Sequence, residues 1–165
     1  LTLPDEAGTI ATTAFVTNRL VQNLNVTTGA FASGTTLIPR DNTIPQITEG
    51  DQYMTLAITP TSATSKLEIT VVIAALGHSV SSYPIVALFV GTTANALAAV
   101  NTGFGSDLGG AVFVHSMVAG VTTELIFRVR AGANDAGTTV FNGVSASARL
   151  GGSMASSITI KEYAA

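Results

Sequence analysis

The chain has 165 residues, a formal net charge of −3 and no cysteine, so it forms no disulfide. Only 10% of its residues are charged, against a usual level of about 25%, and 47% are hydrophobic, which argues against intrinsic disorder. The seven Lys and Arg residues form no basic patch, and the apolar runs are shorter than a membrane span, so we expect neither nucleic acid binding nor membrane insertion.

The first predicted element is a helix over residues 12–24, after an extended lead-in. Val16, Leu20 and Leu24 recur every four residues, which places them on one face of a helix. A single helix of this length with one apolar stripe is marginal in water. The stripe therefore predicts a short N-terminal helical collar, in which these three side chains from three copies of the chain pack around a common axis.

From about residue 26 the hydrophobic period changes to two. Apolar and polar residues alternate at residues 54–58, 67–73, 125–129 and 158–160. Such alternation is typical of a strand with one buried face. Turn-forming groups of Gly, Pro, Asn and Asp separate these segments. The pattern predicts an all-β head with roughly eight or more short strands, arranged as an antiparallel β-sandwich of the jelly-roll type.

Two segments, residues 84–90 and 111–118, are apolar at odd and even positions alike. Each strand of a two-sheet sandwich has one inner and one outer face, so a strand that is apolar on both needs a cover outside the sandwich. We expect neighbouring subunits to provide that cover, and a loop or the helix lying over the strands is the alternative. The low content of charge also favours surfaces hidden in an oligomer.

Several segments resemble parts of bacteriophage tail fibres. Residues 9–20, Thr-Ile-Ala-Thr-Thr-Ala-Phe-Val-Thr-Asn-Arg-Leu, resemble the connector that recurs in these fibres, often near a distal domain. Residues 31–60 resemble the opening of such a distal domain, and Thr-Ile-Pro-Gln-Ile-Thr-Glu-Gly at 43–50 is the most specific part. The closing residues 156–163 also fit, whereas residues 77–155 carry no such resemblance.

The resemblance implies a homotrimeric tip domain of a tail fibre, located in the virion and acting outside the cell. It implies adsorption to a bacterial surface receptor, either a glycan or an outer-membrane protein, and it carries over no catalytic residue. The chain then divides into a connector and trimerising helix, residues 1–25, and a receptor-binding head, residues 26–165. The alternatives are a virion structural or decoration jelly roll that binds no receptor, and a glycan-cleaving tip enzyme.

No motif of an enzyme or a metal site is present in the sequence. His78 and His115 stand alone, without the spacing of zinc ligands, although the threefold axis of a trimer could bring three copies of His115 together. Asp107 and Asp135 could form an acidic pair across a loop crevice, which glycoside cleavage would need, but aspartates in turns commonly bond to their own backbone. We therefore predict binding without catalysis, and no metal or cofactor.

Receptor contacts commonly come from loops on a rigid scaffold, and aromatic and amide side chains suit sugar faces and hydroxyls. Three predicted loops carry such residues, and ordinary turn chemistry is the alternative role for each of them. The candidates are His78, Ser81 and Tyr83 in the first loop, Asn101, Phe104 and Asp107 in the second, and Asn134 and Asp135 in the third.

Overall fold

The computed structural model describes residues 18–103, 109–144 and 147–165. These residues form an all-β structure with one short 3-10 turn, Leu150–Gly152, and no helix among them is long and apolar enough to cross a membrane. The strands are β1 Leu20–Thr28, β2 Ala32–Gly34, β3 Asp51–Ile58, β4 Lys66–His78, β5 Pro84–Val90, β6 Ala98–Asn101, β7 Gly109–Val118, β8 Leu125–Ala133, β9 Thr139–Phe141, β10 Gly143–Val144, β11 Ser147–Ala148 and β12 Ser156–Tyr163.

The longer strands form two antiparallel sheets. In the larger sheet β4 is central, with β7 on one side and β12, then β1, on the other. The short β9 pairs with the last residues of β4, Leu76 to His78, and β2 pairs with β9. The smaller sheet has the order β3-β8-β5-β6, and β10 and β11 pair separately. Without the short β2, β9, β10 and β11, the described strands follow the orders β1-β12-β4-β7 and β3-β8-β5-β6. Two Greek keys wound together produce these orders, as in a jelly roll.

One core lies between the two sheets. The alternating apolar residues of β4, including Ile69 and Val71, are fully buried and share this core with Phe127 of β8 and Ile158 of β12. The polar residues between them point to the outer faces; there Lys161 of β12 lies 3.8 Å from Glu68 of β4. The strand predictions from the period of two are therefore confirmed for these segments.

The predicted helical collar is wrong wherever the described residues test it. Leu20 and Leu24 belong to β1, which pairs antiparallel with β12, and Val16 lies outside the described residues. A spacing of four residues repeats on one face of a strand as well as on one face of a helix, so it does not separate the two. In the strand, Leu24 packs against the core opposite Ile160, whereas a register shift between Leu20 and Gln22 sets Leu20 opposite Tyr163, where it is 48% exposed. The division between residues 25 and 26 falls inside β1.

The outer face of β5 is covered by the loop between β2 and β3, residues 35–50, which we call the covering loop. Ile85, Ala87 and Phe89 point away from the shared core and form a second buried cluster with Ile38 of this loop. Ile47, further along the same loop, packs against the cluster. For β5, the cover is therefore a loop of the same chain, which was the alternative expectation, and not a neighbouring subunit.

Contacts with β8 hold this covering loop close to the sheet. A side chain at Gly132 would place its Cβ 2.5 Å from a loop carbonyl and 3.0 Å from the backbone nitrogen of Ile38. Arg130 donates from Nε to the carbonyl of Glu49 at 2.8 Å and from Nη2 to that of Gly50 at 2.7 Å. Glycine at position 132 is therefore required by the close approach of two backbones.

The outer face of β7 is open in the described structure. Val112, Val114 and Val118 are 67%, 54% and 60% exposed, and β7 pairs with β4 along one edge only within the described residues. His115 lies on the other, half-buried face, where burial lowers its pKa. The two segments that are apolar on both faces thus differ in whether the described chain covers them.

Candidate functional site

Two of the predicted receptor-binding loops meet at one corner of the head. Ser82 donates from Oγ to a carboxylate oxygen of Asp135 at 2.7 Å, and the backbone nitrogen of Asp135 donates to Ser82 Oγ at 3.2 Å. Close by, the backbone nitrogen of Thr138 donates to Ser79 Oγ at 2.9 Å. The loop after β4 and the loop after β8 therefore form one surface, an adjacency that only the fold creates.

Arg40 of the covering loop joins the same corner, although the sequence did not single it out. Its backbone nitrogen donates to Asn134 Oδ1 at 2.8 Å, and its guanidinium carbon lies 4.0 Å from the centre of the Tyr83 ring. At this distance the cation is attracted to the face of the ring. The sequence does contain a signal for this residue, because Arg40 is a charged residue in a predicted turn of a chain with few charges.

An open groove runs from this corner along the edge strand β6. It has a volume of about 300 Å³, and it adjoins a second depression of about 320 Å³. Its floor is apolar and its rim is polar, with the covering loop on one side and β6 on the other. The lining residues are Pro39, Arg40, Asp41, Thr43, Pro45, Ile85, Ala99, Val100 and Asn101.

The polar groups of the rim are held in place by local hydrogen bonds. Asp41 Oδ1 accepts from the hydroxyl of Thr43 at 2.5 Å and from its backbone nitrogen at 2.7 Å. These hydrogen bonds hold the pKa of Asp41 below its ordinary value, so the carboxylate is ionised at neutral pH. Asn101 Oδ1 accepts from the backbone nitrogen of Gly103 at 2.9 Å. The rim thus offers a guanidinium, a carboxylate and an amide above an apolar floor.

The remaining predicted site residues lie in different surroundings. His78 is only 4% exposed, its Nδ1 lies 3.2 Å from the carbonyl of Val80, and its Nε2 is buried without a hydrogen-bond partner among the described residues. A side chain at Gly137 would collide with the imidazole, so His78 supports the loops from beneath. Ser81 is exposed at the corner, while Phe104 and Asp107 lie outside the described residues.

A buried carboxylate, that of Glu162, lies in the larger sheet. It accepts from the backbone nitrogen and hydroxyl of Thr61 at 2.8 and 2.6 Å, and from Gln22 Nε2 at 2.6 Å. Burial raises the pKa of Glu162, but these bonds and one from Ser65 outweigh it and hold the pKa below its ordinary value. Its partners tie β12 to β1 and to the loop before β4, which is a structural role. Nowhere in the described part of the chain do three or more potential metal ligands come together.

Comparison with known proteins leaves the family open. No family model and no curated protein matches the chain. Among solved structures, the VP2 subviral particle of infectious bursal disease virus matches at 12% identity and a TM-score of 0.33, over 90% of this chain and 39% of that one. The enzymatically active domain of tailspike protein 4 from bacteriophage CBA120 matches at 12% identity and a TM-score of 0.29, over 73% of this chain and 18% of that one.

A further structure, that of the Gt strain of infectious bursal disease virus, matches at 11% identity and a TM-score of 0.35, over 90% of this chain and 39% of that one. The chain thus spans well under half the length of each of these structures. At these TM-scores the overlap is partial, and it indicates neither a shared family nor a shared function.

Proposed function

We propose that this chain is the receptor-binding head of a bacteriophage tail fibre, a virion protein that adsorbs to a bacterial surface and performs no catalysis. The observation that carries the proposal is the groove along β6, with an apolar floor and three different polar groups on its rim. Open clefts of this kind suit saccharides, whose ring faces are apolar and whose hydroxyls need donors and acceptors. The resemblance of residues 31–60 and 156–163 to fibre proteins supports the same function.

We propose further that the head acts as a homotrimer, assembled through the open face of β7 instead of a helical collar. Val112, Val114 and Val118 form an apolar stripe on this face, and the described part of β7 carries no Lys, Arg, Asp or Glu. Natural edge strands commonly carry such charges to prevent pairing with other chains. Three shallow grooves on one rigid tip would bind a surface much more tightly than one groove.

The native mass in solution tests the assembly. One chain is 16.7 kDa, so a trimer has 3 × 16.7 = 50.1 kDa, and light scattering on a size-exclusion column should give a species of that mass. Val114→Lys would place a charge in the proposed interface and should release a species of 16.7 kDa that keeps its β-sheet circular dichroism. A wild-type chain that is a monomer at all concentrations would rule out the trimer.

Adsorption of the purified head to bacterial cells tests the receptor-binding function. Ala99 lines both the groove and the adjoining depression, so Ala99→Trp should obstruct them and reduce adsorption at least about tenfold, a loss that corresponds to a single good contact. Val121→Trp is the matched control. Val121 is exposed in the loop after β7, whose Gly120 bonds to Ala63 near the start of β4, the end opposite to His78.

The outcomes of this assay also separate the alternatives. A head that adsorbs to no cells in a broad panel would favour the structural or decoration jelly roll. Release of new reducing ends from bacterial polysaccharide would favour the glycan-cleaving enzyme. The described lining of the groove contains one carboxylate, Asp41, whereas the usual mechanism of glycoside cleavage uses two.

A further inference from the structure

The guanidinium of Arg40 has different contacts from those of Arg128 and Arg130, the two arginines of strand β8. Arg128 donates to the carbonyls of Gly91 and Ile126, and Arg130 donates to two carbonyls of the covering loop. Arg40 instead contacts the ring of Tyr83, and within the described residues no carboxylate lies at ion-pair distance from it. Arg128 and Arg130 therefore have structural partners for their donors, whereas no hydrogen bond from the guanidinium of Arg40 to another described residue is present at the groove.

Two contacts orient Arg40 at the groove. Its backbone is held by Asn134, its side chain is stacked on Tyr83, and it lines the groove. The neighbouring carboxylates have other donors: Asp135 accepts from Ser82, and Asp41 accepts from Thr43. An arginine that is already oriented loses less conformational entropy when it binds, and its planar fork matches two oxygens of a carboxylate or phosphate.

From this arrangement we infer that the groove binds an acidic saccharide, with a carboxylate or phosphate group of the sugar on Arg40. This inference rests on the proposed function. The sugar ring lies on the apolar floor beside Ala99, its hydroxyls donate to the carboxylate of Asp41, and Asn101 bonds to the far end of the ring. The negative charge of Asp41 requires hydroxyls on its side of the groove, so the anionic group of the ligand is placed at Arg40 alone.

A saccharide array with matched pairs tests the inference. It should carry uronic acid oligosaccharides beside their carboxyl-reduced forms, and phosphorylated oligosaccharides beside their dephosphorylated forms. The wild-type head should bind the acidic member of at least one pair about ten- to a hundredfold more tightly than the neutral member. This ratio of affinities corresponds to the usual free energy of a hydrogen bond to a charged group. The pair that shows this preference identifies the source of the anionic group.

Variants of Arg40 assign the preference to this residue. Arg40→Gln should remove it, and Arg40→Lys should keep only part of it, because a lysine cannot form the bidentate contact. Arg149→Gln, which removes the same charge from an exposed arginine bonded to Ser147, should change nothing. Equal loss in both glutamine variants would show that net charge decides the preference and would overturn the inference.

The failure of the inference can be distinguished from failure of the proposed function. A head that adsorbs to bacterial cells but binds acidic and neutral members of every pair equally, or binds none of them, overturns the acidic saccharide and leaves receptor binding standing. A head that adsorbs to no cells and binds no saccharide overturns both.

Discussion

Strands β5 and β7 have the same kind of sequence, apolar on both faces, but different surroundings. The outer face of β5 is buried under the covering loop, where Phe89 is 0% exposed, whereas Val112 on the outer face of β7 is 67% exposed. The pattern of the two strands predicts only that each outer face needs a cover. It does not say whether the cover comes from the same chain or from another copy, because burial by either removes the same apolar surface from water.

The largest expected effect is on the covered face. Phe89→Ala should lower the free energy of unfolding by about 3–5 kcal/mol, because it leaves a cavity between β5 and the loop. Chemical denaturation followed by circular dichroism measures the change, and Phe89→Leu should retain most of the stability. A loss below about 1 kcal/mol for the alanine variant would show that the loop does not pack tightly on β5.

The next largest expected effect on the free energy of unfolding comes from the hydrogen bonds of Glu162 in the larger sheet. Glu162→Gln should cost about 2 kcal/mol at neutral pH, because the amide cannot accept all the hydrogen bonds that Thr61 and Gln22 donate to the carboxylate. Denaturation at neutral pH measures this loss.

The same residue predicts a dependence on acid. The pKa of Glu162 is lower in the folded protein than in the unfolded chain, so its contribution is complete above about pH 4.5 and is lost as the pH falls through the folded pKa. Denaturation curves from neutral to acidic pH should therefore converge for the wild type and Glu162→Gln. Parallel curves would assign the acid sensitivity to other carboxylates.

The smallest expected effect is on the open face of β7. Val112→Thr should change the stability of the dilute monomer by no more than about 0.5 kcal/mol, since the side chain is largely in water there. At concentrations where copies assemble, the same variant should lower stability further. A large loss that is independent of concentration would mean that another part of the same chain covers β7, and the contrast with β5 would disappear.

The sequence was a good guide to strands and a poor guide to the first element. Alternation at Ile69, Val71 and Phe127 predicts their inner faces, because the period of two is read directly from the chain. Leu20 and Leu24, four residues apart, fit both a helix and a strand, and pairing with β12 decided for the strand. The residues around Leu20 and Leu24 do not indicate which strand will pair with them, because that strand lies more than a hundred residues away in the chain.

The candidate site shows the same division. The loops that carry Tyr83, Asn101 and Asn134 follow from turn chemistry, and the structure places these residues at or near one groove. The sequence did not predict a role for Arg40, because that role depends on Tyr83 and Asn134, which are distant in the sequence and contact Arg40 only in the folded structure. His78 was a candidate from its loop position, yet it is buried, because exposure depends on what packs above a residue.

The sequence by itself determined that this chain is a low-charge, all-β protein with a strand period of two, since side-chain alternation and turn residues act over a few positions. Only the tertiary structure decided the strand order, the cover over β5, the open face of β7 and the meeting of Arg40 with Tyr83. These features depend on contacts between residues far apart in the chain, and such contacts become favourable only when both sheets pack around the shared core.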